Sequence, residues 1–199
     1  MSTLKKLASQ TAIYGVSSIV GRFLNYGLVP LHTAIFLPEQ YGVVSELYAY
    51  VAFLIILLTF GMETAFFRFS TKGDFKPASV FSTSFIAVTV VGILFVVNAL
   101  LFSQTIAEWL KYPDNQEYVA WFALIISLDA IASIPLAKLR QENKALQFVG
   151  ANLTNVGVNV GLNLLFLMVL MPQLKATGES FLFFTPETGV GYIFVANLI

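Results

Sequence analysis

YGVVSELYAYVAFLIILLTFGMETAFFRF, residues 41–69, holds an unbroken apolar run from Val51 to Leu58, with Glu46 before it and Glu63 and Arg68 after it. A soluble protein buries such a run as a core helix. About 20 apolar residues closed by aromatics and an arginine, however, have the length and finish of a bilayer span. Read as a span, the stretch places Arg68 at the cytoplasmic membrane edge. Its two glutamates are costly in lipid, so they are expected to face protein or a water-filled cavity.

Composition extends this reading to the whole chain. Hydrophobic residues make up 57% and charged residues 11%, with a mean hydropathy of +0.79, whereas an average soluble domain is about 25% charged. The apolar segments run for about 20 residues and do not alternate over about 10, so the spans are helices and not barrel strands. A formal net charge of zero gives no electrostatic pointer to nucleic acid. Cysteine is absent and there is one histidine, which removes thiolate chemistry and paired-histidine metal sites. No phosphate-cradling glycine loop or nucleophile elbow is present, so no enzyme, cofactor or metal is expected.

Six apolar segments follow one another at residues 11–37, 40–69, 77–103, 117–137, 146–171 and 189–199, joined by short connections. The first follows MSTLKKLASQ and reads as an uncleaved span, being too long for a secretory signal. With no linker between them, the segments form one transmembrane helical domain over residues 1–199. The last is too short to span, so the natural protein is expected to continue beyond Ile199. Lysine and arginine distribution orients the helices. Eight basic residues (Lys5, Lys6, Arg68, Lys72, Lys76, Lys138, Arg140 and Lys144) fall on the side of the N-terminus, against Lys111 and Lys175 opposite. The N-terminus is therefore expected in the cytoplasm, and the acidic loops with Glu39, Glu108, Asp114, Glu117, Glu179 and Glu187 outside. Trp109, Tyr112, Tyr118 and Trp121 then fall at the outer interface.

Arg22, the remaining basic residue, lies about eleven residues into the first segment, roughly 16 Å deep at about 1.5 Å per residue. Tyr14, Ser18, Asn25 and His32 share its helix face. Two readings stand: Arg22 pairs with a buried acid to hold helices together, or it faces a hydrated cavity and attracts an anionic substrate group. Asp129 is about as deep in the fourth segment, with Ser133 and Arg140 on its face. It is a partner for Arg22 or a proton or ion site. His32 reads as a hydrogen-bonding interface residue. In the fifth segment Asn152, Asn155, Asn159 and Asn163 fall within about 80° of arc, interleaved with Gly150, Gly157 and Gly161. Such a stripe is either interhelical glue or a sugar-facing wall, since amides donate to and accept from hydroxyls without charge.

Residues 36–69, FLPEQYGVVSELYAYVAFLIILLTFGMETAFFRF, resemble the polysaccharide (O-antigen type) flippases of the multidrug/oligosaccharidyl-lipid/polysaccharide exporter superfamily. The likeness rests on the Pro38-x-x-Tyr41-Gly42 turn and on Gly61-x-Glu63-x-Ala65-x-x-Arg68-Phe69. GRFLNYGLVPLHTAIF around Arg22 and LRQENKA after the fourth segment add to it. The resemblance implies an all-α membrane protein whose bundle of about six transmembrane helices forms the N-terminal lobe of a MATE-like two-lobe transporter. It implies a lipid-linked, diphosphate-bearing oligosaccharide as substrate, a bacterial inner-membrane location, and the polysaccharide polymerase machinery as a further partner beside membrane lipids. Arg22, Glu63 and Arg68 carry over by position. On depth and face, Tyr14, Ser18, Asn25, Asp129, Asn155 and Asn159 join Arg22 and Glu63 as cavity residues, with Arg68 and Arg140 at a cytoplasmic gate or interface. A cation-coupled multidrug exporter, or a membrane scaffold without a cavity, are the rival readings.

Overall fold

The computed structural model describes residues 3–73, 75–178, 180, 184 and 188–199, with side chains from residue 12 onward. Glu179, Glu187 and the side chains of Lys5 and Lys6 lie outside the described residues. The described chain is almost wholly helical: α1 Thr3–Ile35, α2 Pro38–Thr59, α3 Met62–Thr71, α4 Pro77–Leu101, α5 Ser103–Trp109, α6 Gln116–Gln141, α7 Ala145–Leu165, a π-helical turn Phe166–Leu170, α8 Met171–Thr177 and α9 Gly191–Leu198.

Four helical stretches, not the six expected, are long and apolar enough to cross a membrane among the described residues: α2 with α3 (Pro38–Thr71), α4 (Pro77–Leu101), α6 (Gln116–Gln141) and α7 through α8 (Ala145–Thr177). The first expected span is present as α1, but Arg22, Asn25, His32 and several serines and glycines dilute its apolar content. The sixth is only the eight-residue α9. Phe53, Ile56, Ile86 and Ile93 stand exposed on the long helices. Exposed apolar side chains along helices of this length are stable only against lipid or another apolar partner, and the chain is a multi-pass membrane protein.

The second expected segment does not run as one helix. Its backbone turns left-handed at Phe60 and Gly61, with φ 31° and 73°, and α3 restarts at Met62. Positive φ costs little only for glycine, so Gly61 sets the break. Proline starts α2 and α4, where its missing N–H is an orphan anyway.

The chain forms two compact units, one from residues 1–45 and 143–199, the other from 46–142. In the first, α1 lies along α7 and α7 against α9. Buried Gly21 lets the helices approach: a Cβ there would stand 3.4 Å from Val156 Cγ2. Tyr14 meets Phe148 edge-on at 5.3 Å. In the second, Leu58, Val88, Ile126, Ala130 and Ile134 form a core joining α2, α4 and α6. Gly92 brings α4 close enough for Ser127 of α6 to donate to its carbonyl at 3.1 Å, the small-residue packing that holds helices together in lipid.

Candidate functional site

In the first unit, a file of hydrogen bonds crosses three helices. His32 Nε2 stands 3.1 Å from Asn163 Oδ1. An amide oxygen only accepts, so Nε2 carries the proton. Asn163 Nδ2 donates to the Asn159 carbonyl at 2.9 Å and to Asn159 Oδ1 at 3.3 Å. Asn159 Nδ2 then donates to Asn197 Oδ1 at 2.9 Å. Period-3.6 spacing places Asn159 and Asn163 on one side of α7, and burial of His32 and Asn163 makes the bonds between them obligatory.

This file ends at a cavity of about 270 Å³ between α7 and α9, lined by Thr154, Asn155, Asn159 and Asn197 with Ala151, Val158, Ala196 and Ile199. Asn155 and Thr154 are exposed to it. The cavity carries amides and a hydroxyl beside small apolar surface, and no charged side chain lines it.

The polar stripe expected on α1 divides. Tyr14 and His32 turn towards α7, whereas Ser18, Arg22 and Asn25 are exposed. Within its unit Arg22 has no hydrogen-bond or ion-pair partner among the described residues. The Tyr14 hydroxyl is buried without a partner.

In the second unit the structure joins Glu63 and Arg140, which the sequence reading kept apart. Arg140 Nη2 donates to Glu63 Oε1 at 2.8 Å, and its guanidinium lies over the Phe67 ring at 5.6 Å. The break at Gly61 makes this possible, because it starts α3 with Glu63 in its first turn, facing the last turn of α6. Lys138 Nζ caps the Phe81 ring at 4.3 Å. Arg68 lies exposed beside Phe69. Asp129 is exposed on α6, and Ser133, expected on its face, donates instead to the Ala130 carbonyl at 2.6 Å. Arg22 and Asp129 lie in different units.

At the opposite end of the second unit, Glu46 accepts from Tyr112 at 2.7 Å and from Tyr50 at 3.1 Å. Below it opens an apolar cleft of about 490 Å³ among α2, α4, α5 and α6, walled by Phe53, Phe95, Phe102 and Phe122. The cleft suits hydrocarbon and offers almost no polar contact.

A family model described as polysaccharide biosynthesis protein matches residues 34–173. The chain belongs to this family. No curated protein and no solved structure matches it. The matched region includes Glu63, Arg68, Asp129, Arg140, Asn155 and Asn159, whereas Tyr14, Ser18, Arg22 and Asn25 precede it. Sequence reasoning missed Asn197 and Thr154 as cavity residues and Tyr112 as a partner of Glu46. Asn197 and Tyr112 meet their partners on other helices, and Thr154 falls off the asparagine face of α7, so no periodic signal points to any of the three.

Proposed function

We propose that this chain belongs to a membrane transporter that flips a polyprenyl-diphosphate-linked oligosaccharide from the cytoplasmic to the outer face of the bacterial inner membrane. It lies with its N-terminus in the cytoplasm and works by alternating access. It is not an enzyme. Membership of a polysaccharide biosynthesis family supports the substrate class, and exposed Arg22, without a partner in its own unit, carries the reading. A guanidinium fork matches phosphate oxygens where screening is weak. The Glu63–Arg140 pair then serves as a contact at the cytoplasmic end, and the polysaccharide polymerase machinery is the partner that receives the product.

The test is complementation by the full-length protein. Arg22→Ala abolishes surface polysaccharide while the protein keeps its normal membrane level, and Arg22→Lys retains part of the activity. An active Arg22→Ala protein removes the substrate role. So does loss of the protein with recovery in Arg22→Ala/Asp129→Ala, which identifies a structural pair. Exposed Asp129 favours one second reading, a cation-coupled exporter, for which transport would collapse with Asp129→Asn and survive Arg22→Ala.

A further inference from the structure

We infer that the cavity between α7 and α9 is a subsite for a single uncharged sugar ring, with Asn155 and Thr154 as the groups that contact its hydroxyls and the hydrogen-bonded file from His32 as the support that holds the wall. A glycan is the natural occupant only if the chain handles lipid-linked oligosaccharide as proposed above.

Asn155 and Thr154 sit on Ala145–Thr177, one of the four helices able to cross a membrane. Both are exposed, and neither side chain has a hydrogen-bond partner among the described residues. A carboxamide facing hydrocarbon loses its hydrogen bonds to water at a cost of roughly 2–7 kcal/mol, so this wall faces water, a polar ligand or polar groups of another helix. Two observations narrow the ligand. No charged side chain lines the cavity, which argues against a phosphate, a carboxylate or a metal cation, each of which needs a counter-charge or an anionic ligand set. Amide and hydroxyl groups lie beside Ala151, Val158 and Ala196. Such a wall matches a sugar ring, which has hydroxyls at its rim and C–H groups on its face. The cavity, about 270 Å³, holds about nine waters at about 30 Å³ each. That is room for one sugar ring.

Neighbouring Asn159 is already committed. Its carboxamide accepts from Asn163 and donates to Asn197, and Asn163 is held by His32. Rotation of Asn159 would break bonds at both ends, so the wall is set before a ligand arrives, and Asn155 one turn earlier remains to adapt. Preorganisation of this kind lowers the entropy lost on binding.

The experiment uses the full-length protein freed of any other cysteine, with Ala151→Cys on the cavity wall reacted with a maleimide in detergent. The probes are free oligosaccharide, released by mild acid from the host's surface polysaccharide, and inorganic diphosphate. Oligosaccharide at about ten times its Kd slows labelling about tenfold, following the unoccupied fraction, whereas diphosphate has no effect. Adding Asn155→Leu abolishes this protection, and Thr154→Ser keeps it. Labelling unchanged by oligosaccharide, slowed equally by diphosphate, or still protected in Asn155→Leu overturns the subsite. Protection in a protein that moves no lipid-linked glycan leaves the subsite standing and removes the transport reading. Transport without protection removes the subsite alone.

Discussion

Arg140 at the end of α6 donates to Glu63 at the start of α3 across 2.8 Å, although 77 residues separate them in sequence. Each side chain is about one-third exposed, at 35% and 37%, so water weakens the pair and the expected coupling is about 0.5–1 kcal/mol. A double-mutant cycle with Glu63→Gln and Arg140→Gln, read by equilibrium unfolding in detergent, measures it. Arg140→Ala should cost more than Arg140→Gln, because it also strips the stem and the contact with Phe67. A coupling indistinguishable from zero would show that the two ends of α3 and α6 are held by packing alone.

The His32–Asn163 bond is buried at both ends. Asn163→Leu strands the imidazole N–H and should destabilise the protein by about 1–3 kcal/mol, while replacing both partners with apolar side chains recovers most of the loss. Thermal unfolding of the two single variants and of His32→Leu/Asn163→Leu decides the matter. Additive losses in the double variant would mean that the two residues do not act as a pair.

Tyr112 lies between α5 and α6, outside the membrane-spanning helices. Burial, and then its hydrogen bond to Glu46, push its phenol from 10.0 up to about 12. A raised folded value means that the native state favours the neutral phenol. Its contribution is therefore complete below pH 10.0 and is lost as pH rises through about 12. Stability of the wild-type protein should fall across that window more steeply than that of Tyr112→Phe, which has no phenol to ionise. Parallel alkaline limbs in the two proteins would remove the Tyr112–Glu46 contact as the cause.

Orientation is open to direct labelling. Single cysteines at Lys72 and Lys144 should resist an impermeant thiol reagent added to intact cells, whereas one at Asp114 should react. The lysine and arginine imbalance requires this pattern. Reaction at Lys72 from outside would reverse the assignment of every connection.

The class of this protein is written in the chain itself. An apolar run of about 20 residues must satisfy its backbone hydrogen bonds internally once water is gone, so the segments around Val51, Val88, Ile126 and Val156 become helices whatever surrounds them. The helix starts at Pro38 and Pro77 and the asparagine face of α7 are equally local, because they depend on dihedral limits and on a 3.6-residue period. What the period cannot say is which neighbour a face meets. It grouped Tyr14, Ser18, Arg22, Asn25 and His32 on one stripe of α1, yet α7 covers only Tyr14 and His32, and Ser18, Arg22 and Asn25 stay exposed. It set Arg140 beside Asp129, yet the break at Gly61 brought Glu63 within hydrogen-bond reach instead. The partners His32 and Asn163 are 131 residues apart. Bringing them together depends on the close approach of α1 and α7 at Gly21 and Val156, a packing contact between distant segments that neither segment encodes alone.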